Sequence, residues 1–156
     1  LAELNLMFDV MYTSALKRAQ LTGKIILDVL GQSDLEIIEN EALNERDYGE
    51  LTGSNKDEAK ENFGVEQVQI WRRSYDIPPP GGESLRDTYN RVIPYFKKEV
   101  LPLMDNKNVL MPAHGNSLRA LVKYLDNISE EDIVRLEIST GEPIFYKFIN
   151  GKFIRQ

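Results

Sequence analysis

The sequence predicts a three-layer α/β/α fold in which helices cover both faces of a mostly parallel sheet. Short runs of strand-forming residues alternate with longer segments whose apolar residues recur every three to four positions. This alternation is typical of proteins that build a parallel sheet from strand–helix–strand units. At 156 residues, the length fits one domain with a real core. We therefore expect a single domain over residues 1–156.

The first predicted unit contains two strands joined by one helix. Residues 8–13 are rich in strand formers, and Ser14 can cap a helix over residues 15–30. Gly31 is suited to end that helix because glycine readily adopts a positive φ. Residues 35–38 follow as a second short strand.

The middle of the chain has weaker periodicity. The glycine-bounded segment 43–53 is predicted to be a loop, and helices are expected at 55–63 and around 67–71. Residues 75–82 hold three consecutive prolines and two glycines, which favours an extended or turning segment. Ser84 then begins a long helix.

The predicted helix after Ser84 contains Pro94, which should kink it because the apolar period resumes beyond the proline. Ser129 can cap a short acidic helix that reaches Leu136. Residues 144–149 form a last strand, and Asn150-Gly151 should turn the chain back into a hairpin.

The single histidine, His114, lies where a short buried strand gives way to a helix. Residues 109–113 form the strand, and either Asn116 or Ser117 can cap the helix. A helix N-terminus offers backbone N–H groups and positive potential to an anion. A histidine there can donate to a phosphoryl oxygen or exchange a proton near neutral pH. The alternative is a lone structural histidine on a strand–helix turn.

Composition excludes several classes of protein. The net charge of −6 argues against a general nucleic-acid binder, and no apolar stretch approaches the ~20 residues that span a bilayer. The absence of cysteine excludes disulfides and thiolate metal sites and agrees with a cytoplasmic protein. We therefore expect a small-molecule ligand, with no nucleic-acid or membrane partner, and a homo-oligomer remains open.

Cationic residues and residues that can transfer protons occur in three other places. Each of them, taken alone, is also explained as ordinary surface charge. They are Arg18 in the first turn of the first helix; Glu45, Arg46 and Tyr48 in the glycine-bounded loop, with Lys56 shortly after; and Arg72 and Arg73 before the prolines. Open α/β sheets bind ligands at the carboxyl ends of their strands, where Arg18 and His114 are predicted. Their combination favours an anion site.

Four motifs resemble those of the cofactor-dependent phosphoglycerate mutases of the histidine phosphatase superfamily. They are Thr-Ser-Ala-Leu-Lys-Arg-Ala at 13–19, Leu-Asn-Glu-Arg-Asp-Tyr-Gly at 43–49, Trp-Arg-Arg at 71–73 and the Ala-His-Gly-Asn-Ser-Leu-Arg run that begins at 113. The resemblance runs in register from about residue 4 to residue 149. It implies a phosphoglycerate mutase-like fold.

The resemblance also implies an activity. The enzyme would interconvert 3-phosphoglycerate and 2-phosphoglycerate in glycolysis and gluconeogenesis through a phosphohistidine, with 2,3-bisphosphoglycerate as primer and no metal. Arg18 and His114 would contact the transferring phosphoryl group, and Glu45 would be the general acid/base. The residues implied to bind substrate are Arg18, Glu45, Arg46, Tyr48, Lys56, Arg72, Arg73, Gly115 and Asn116.

One departure from the family pattern is large. The nucleophilic histidine of the family belongs to an Arg-His-Gly motif that is absent from this sequence, and His114 matches the family's second histidine. The chain begins with Leu1, and residues 1–7 resemble the tail of a helix. We therefore expect that an N-terminal strand and its catalytic loop are missing from this chain.

Two alternatives differ from mutase activity. A phosphatase of the same superfamily would transfer the phosphoryl group to water, although it has no need to hold both ends of a small phosphoglycerate. A non-catalytic anion-binding module would have lost its nucleophile, although it has no need to keep all of Arg18, Glu45, Arg72, Arg73 and His114.

Overall fold

The computed structural model describes residues 6–47, 49, 61, 64–139 and 141–156, apart from the side chains of residues 72 and 73. Its strands are β1 (Val10–Thr13), β2 (Ile37–Glu39), β3 (Val109–Leu110), β4 (Tyr146–Ile149) and β5 (Lys152–Arg155). Its α-helices are α1 (Lys17–Val29), α2 (Val65–Arg73), α3 (Leu85–Tyr95), α4 (Gly115–Leu125) and α5 (Glu130–Ile133). Strands and helices alternate, which confirms the α/β prediction.

Strand β1 lies at the centre of a three-stranded parallel sheet in the order β2–β1–β3. Met11 is in register with Ile37 of β2 and with Leu110 of β3. All of β1 is buried, as expected for a strand that has neighbours on both edges and helices on its faces. The parallel arrangement brings the carboxyl ends of β1 and β3 to the same edge of the sheet.

Helix α1 packs very closely against β1 at Gly23. A Cβ atom added at Gly23 would lie 2.4 Å from Sδ of Met11 and 2.8 Å from Cγ of Pro112. Only a glycine can lie this close to Met11 and Pro112 without movement of these neighbours. The close approach holds the start of α1 beside the end of β1.

Helices α3 and α4 pack against each other and carry much of the core. Val92, Phe96 and Val100 are buried in the same cluster as Ala120 and Leu121. Strands β4 and β5 pair as an antiparallel hairpin beside this cluster, with Phe153 packed against it. Burial of these apolar side chains stabilises the position of the α4 N-terminus.

Several predicted ends of elements are confirmed. Ser84 and Asp87 form a reciprocal capping box at the start of α3, and the Ser129 hydroxyl accepts from the Asp132 amide at α5. Gly31 has φ of 74° directly after α1. The predicted hairpin turn has positive φ at both of its residues, which the type I′ turn requires.

Pro94 lies inside α3, which continues past it to Tyr95. The chain then enters a π-helical turn over Phe96–Val100 and a 3-10 turn over Leu101–Leu103. The helical path thus continues beyond the proline as expected, and the kink at Pro94 stays a prediction.

Two predicted helix caps are wrong. Ser14 is not the N-cap of α1, which is Leu16; the Ser14 hydroxyl accepts from the Leu16 amide at 3.2 Å and lies 2.8 Å from Nε2 of His114. Neither Asn116 nor Ser117 is the N-cap of α4, which is His114, but Ser117 accepts from the His114 backbone N–H as in a capping box.

Other boundaries also differ from prediction. Strand β3 ends at Leu110 rather than at residue 113, since the chain beyond it turns towards the sheet edge without a ladder partner among the described residues. Residues 6 and 7 are not helical, and residues 1–5 lie outside the described part of the chain. The same holds for the expected helix at 55–63, of which only residue 61 is described. Across the described residues, no helix is long and apolar enough to cross a bilayer.

Candidate functional site

His114 is the N-cap residue of α4, held in an extended backbone conformation with φ of −130°. Its backbone N–H donates to Oγ of Ser117 at 3.1 Å, and its carbonyl accepts from the Leu118 amide at 2.8 Å. The residue is only 7% exposed. Backbone and helix therefore fix the ring at the positive end of α4.

Both ring nitrogens of His114 have a side-chain partner. Arg18 donates its Nε hydrogen to Nδ1 at 3.3 Å, and Nε2 lies 2.8 Å from Oγ of Ser14. A guanidinium can only donate, so Nδ1 must be the unprotonated nitrogen. The proton of the neutral ring then lies on Nε2 and points to Ser14.

The environment favours the neutral form of the ring. Burial lowers the pKa of His114 below its usual 6.5, the Arg18 charge lowers it further, and the Glu45 carboxylate opposes both. The balance is a lowered pKa, so the His114 ring is neutral at pH 7. Arg18 itself is exposed, and within the described chain its side chain donates only to His114.

Strand ends bring Ser14 to His114. The Thr13 hydroxyl donates to the Pro112 carbonyl at 2.7 Å and joins the ends of β1 and β3. The Ala15 amide donates to Oδ1 of Asn44 at 2.8 Å, which joins the loop after β2 to the same place. Three separate loops thus converge at the edge of the sheet where the sequence predicted Arg18 and His114.

The Glu45 carboxylate lies against the N-terminus of α4. Its Oε1 accepts from the Arg46 amide at 2.9 Å and from the Asn116 amide at 3.0 Å. Its Oε2 faces Gly115, where an added Cβ would be 3.8 Å away. One carboxylate oxygen is therefore held by two amides while the other lies beside a residue without a side chain.

Arg46 and Asn116, both predicted to bind substrate, are buried and engaged with the protein. Arg46 donates from Nε to the Glu83 carbonyl at 2.7 Å and from Nη2 to the Trp71 carbonyl. Asn116 Oδ1 accepts from Arg119 at 3.0 Å. These contacts order the loop and the helix start, and a direct contact of either side chain with substrate stays a prediction.

Four predicted substrate ligands cannot be placed. Tyr48 and Lys56 lie outside the described residues, as do the side chains of Arg72 and Arg73. Their substrate roles, like those of Gly115 and Glu45, stay predictions.

Sequence reasoning missed Ser14, Arg91 and Arg119 as site residues. Ser14 could have been found, because a serine directly after a buried strand falls at the same sheet edge as His114. Arg91 and Arg119 lie inside helices, where a lone arginine normally indicates a solvated face. Only the tertiary structure shows that both bind backbone carbonyls.

The site combines an arginine, a neutral histidine and a carboxylate around a helix N-terminus. Arginine and helix amides suit a phosphoryl group, and a half-buried carboxylate can exchange a proton with a hydroxyl. Among the described residues, no group of three or more histidine, cysteine, aspartate or glutamate side chains could hold a metal ion.

Comparison with known sequences agrees with this chemistry. The model of the histidine phosphatase superfamily (branch 1) matches residues 2–154. The chain is 64% identical over 143 residues to the 2,3-bisphosphoglycerate-dependent phosphoglycerate mutase of Parvibaculum lavamentivorans, covering 91% of this chain and 68% of that protein. It is 58% identical over 148 residues to the Rhizobium etli protein of the same name, covering 94% and 70%.

Solved structures share the fold at low identity. The alpha-ribazole phosphatase from Shigella flexneri superposes with a TM-score of 0.82 at 18% identity, over 97% of this chain and 73% of that one. Bacillus stearothermophilus YhfR gives a TM-score of 0.77 at 20% identity, over 96% and 73%. The relatives found by sequence identify a narrower family than the shared fold does. The chain therefore belongs to the histidine phosphatase superfamily and, within it, to the 2,3-bisphosphoglycerate-dependent phosphoglycerate mutases.

Proposed function

We propose that this protein interconverts 3-phosphoglycerate and 2-phosphoglycerate, as the names of its relatives imply. The observation that carries the proposal is the meeting of Arg18, His114 and Glu45 at the N-terminus of α4. A mutase needs groups that bind the transferring phosphoryl group and a proton-transfer group close to them. Here Arg18 and His114 on one side and the Glu45 carboxylate on the other lie at the N-terminus of α4.

Arg18 and His114 form the proposed phosphoryl cradle. The terminal nitrogens of Arg18 can turn to phosphoryl oxygens while Nε holds the His114 ring. The Nε2–H of the neutral ring can donate to a third phosphoryl oxygen when it gives up its contact with Ser14. Phosphoryl transfer is mainly positioning and charge stabilisation, so these groups act without forming a bond to phosphorus.

Glu45 is the proposed general acid/base. The resemblance implies that the donor is the histidine of the family's Arg-His-Gly motif, which is not among residues 1–156. When phosphorus moves from that histidine nitrogen to the substrate hydroxyl, the P–N bond breaks, the P–O bond forms and the hydroxyl proton must leave. Oε2 of Glu45 can accept that proton because Oε1 is held by the amides of Arg46 and Asn116. The reverse transfer returns the proton.

The remaining implied groups complete the proposal. 2,3-bisphosphoglycerate would supply the phosphoryl group that primes the enzyme, and Arg18 with the α4 amides fits one of its phosphates. Tyr48, Lys56, Arg72 and Arg73 would bind the substrate's carboxylate and second phosphate. We propose a metal-free reaction in the cytoplasm.

Mutase and phosphatase activity can be separated in one assay. A form of the protein that carries the family's Arg-His-Gly motif ahead of Leu1 is incubated with 3-phosphoglycerate, with and without 2,3-bisphosphoglycerate, and both 2-phosphoglycerate and free phosphate are measured. We expect 2-phosphoglycerate formation that depends on the bisphosphate and exceeds phosphate release at least ~100-fold, a difference in barrier of ~2.7 kcal/mol. Phosphate release as the main outcome would instead favour the phosphatase.

A further inference from the structure

We propose that Arg91, together with Glu83, positions Glu45 for proton transfer. Arg91 lies in α3, outside every motif that identifies the family, and it makes no contact with His114 or Arg18 among the described residues. Its role follows from what its guanidinium binds. The inference rests on the proposed acid/base function of Glu45.

The guanidinium of Arg91 binds the loop that carries Glu45 through its main chain. Nη1 donates to the carbonyls of Ala42 at 2.8 Å, Asn44 at 3.1 Å and Glu41 at 3.2 Å. Nη2 approaches the carbonyl of Glu45 itself at 3.5 Å. A single side chain on α3 thus binds the loop backbone up to Glu45.

Glu83 orients this guanidinium. Its carboxylate accepts from Arg91 in a bidentate pair, at 3.1 Å to Nε and 2.8 Å to Nη2, and the two side chains are 25% and 23% exposed. Oε1 of Glu83 also accepts from the Asp47 amide at 3.0 Å, on the far side of Glu45 in the chain. The pair therefore binds the loop both before and after Glu45.

This arrangement suits arginine and no other residue. A lysine has no planar fork and cannot bind a carboxylate bidentately while it donates to several carbonyls. Displacement of a reacting group by about 1 Å can lower a rate about 100-fold.

The first test measures the kinetics of Arg91→Lys and Glu83→Gln in the active enzyme that carries the Arg-His-Gly motif, with Arg86→Lys as the matched control. Arg86 is also on α3, but its ion pairs with Asp76 and Glu130 are long, at 3.7 Å, and exposed. We expect kcat of Arg91→Lys to fall about 10- to 100-fold with little change in KM, because the phosphate cradle is untouched. Arg86→Lys should leave both values unchanged.

A double-mutant cycle separates positioning from general stability. If Arg91 acts through Glu45, adding Arg91→Lys to Glu45→Gln should change kcat by less than about twofold. A loss of kcat in the double variant equal to the product of the two single losses would overturn the proposal. So would full activity of Arg91→Lys.

A second readout does not depend on activity. The amides of Arg46 and Asn116 both donate to the Glu45 carboxylate, so their hydrogen exchange reports its position. In Arg91→Lys we expect both amides to exchange faster, while the Leu118 amide, bonded to the His114 carbonyl, keeps its rate. Unchanged exchange at both amides would refute the positioning role. Absence of mutase activity in the parent enzyme that carries the Arg-His-Gly motif would refute the proposed function instead.

Discussion

Arg18 donates its Nε hydrogen to Nδ1 of His114 across 3.3 Å, and this contact decides which ring nitrogen carries the proton. Because the guanidinium is always a donor, the neutral ring must be protonated at Nε2, which faces Ser14 at 2.8 Å. The side of the ring available for donation is therefore fixed before any ligand binds. Four predictions follow from this geometry and from that of Glu45.

Inorganic phosphate should bind beside His114 although the chain has a net charge of −6. Titration followed by NMR is expected to shift the amides of Gly115 and Asn116 most, since the α4 N-terminus and Arg18 concentrate positive potential there. Arg18→Gln should weaken binding about tenfold, whereas Lys17→Gln, which alters the neighbouring exposed residue, should not. Equal weakening by the two variants would indicate diffuse surface binding.

Glu45→Gln in the active enzyme should lower kcat about 100- to 10,000-fold with a much smaller change in KM. The amide keeps the shape and one acceptor oxygen for the Arg46 and Asn116 amides but cannot exchange a proton. Steady-state kinetics over a range of pH is the measurement. Near-native turnover at every pH would reduce Glu45 to a structural loop residue.

Residues 1–156 should incorporate no acid-labile phosphate. His114 is the only histidine, and its ring is held between Arg18 and Ser14 as a donor rather than as a nucleophile. Incubation with labelled 2,3-bisphosphoglycerate, followed by peptide mapping at alkaline pH with an acid-treated sample alongside, tests this expectation. Label on the peptide that contains His114 would contradict the roles assigned here, and a His114→Gln variant provides the blank.

The contribution of His114 to stability should decrease below about pH 6.5. The pKa of His114 is lower in the folded protein, so the unfolded chain binds the proton more readily. The stability that the neutral ring contributes is therefore complete above the unfolded value of 6.5. It is lost as the pH falls towards the folded pKa. Urea unfolding of the parent and of His114→Gln between pH 5 and pH 8 measures the difference. The free-energy difference between the two proteins should shrink as the pH falls, while a constant difference would mean that the pKa of His114 is the same in the folded and unfolded chains.

The fold class and the location of the site could be predicted because they depend on local patterns. Alternating strand and helix periods gave the α/β architecture, and the rule that ligands bind at strand ends placed Arg18 and His114 together. The helix cap at Ser14 was mispredicted because its hydroxyl also contacts His114, 100 positions away, and the cap at Ser117 because α4 already begins at Gly115.

The sequence by itself determined the chemistry that is present: one histidine, a glutamate in a polar loop and an arginine in the first turn of a helix. The tertiary structure decided how those groups are held. The tautomer of His114 depends on Arg18, 96 positions away, and the Glu45 loop is bound by Arg91, 46 positions from Glu45 itself. Such contacts produce no periodic pattern in the sequence, because they depend on which helix packs beside which loop and not on the order of neighbouring residues.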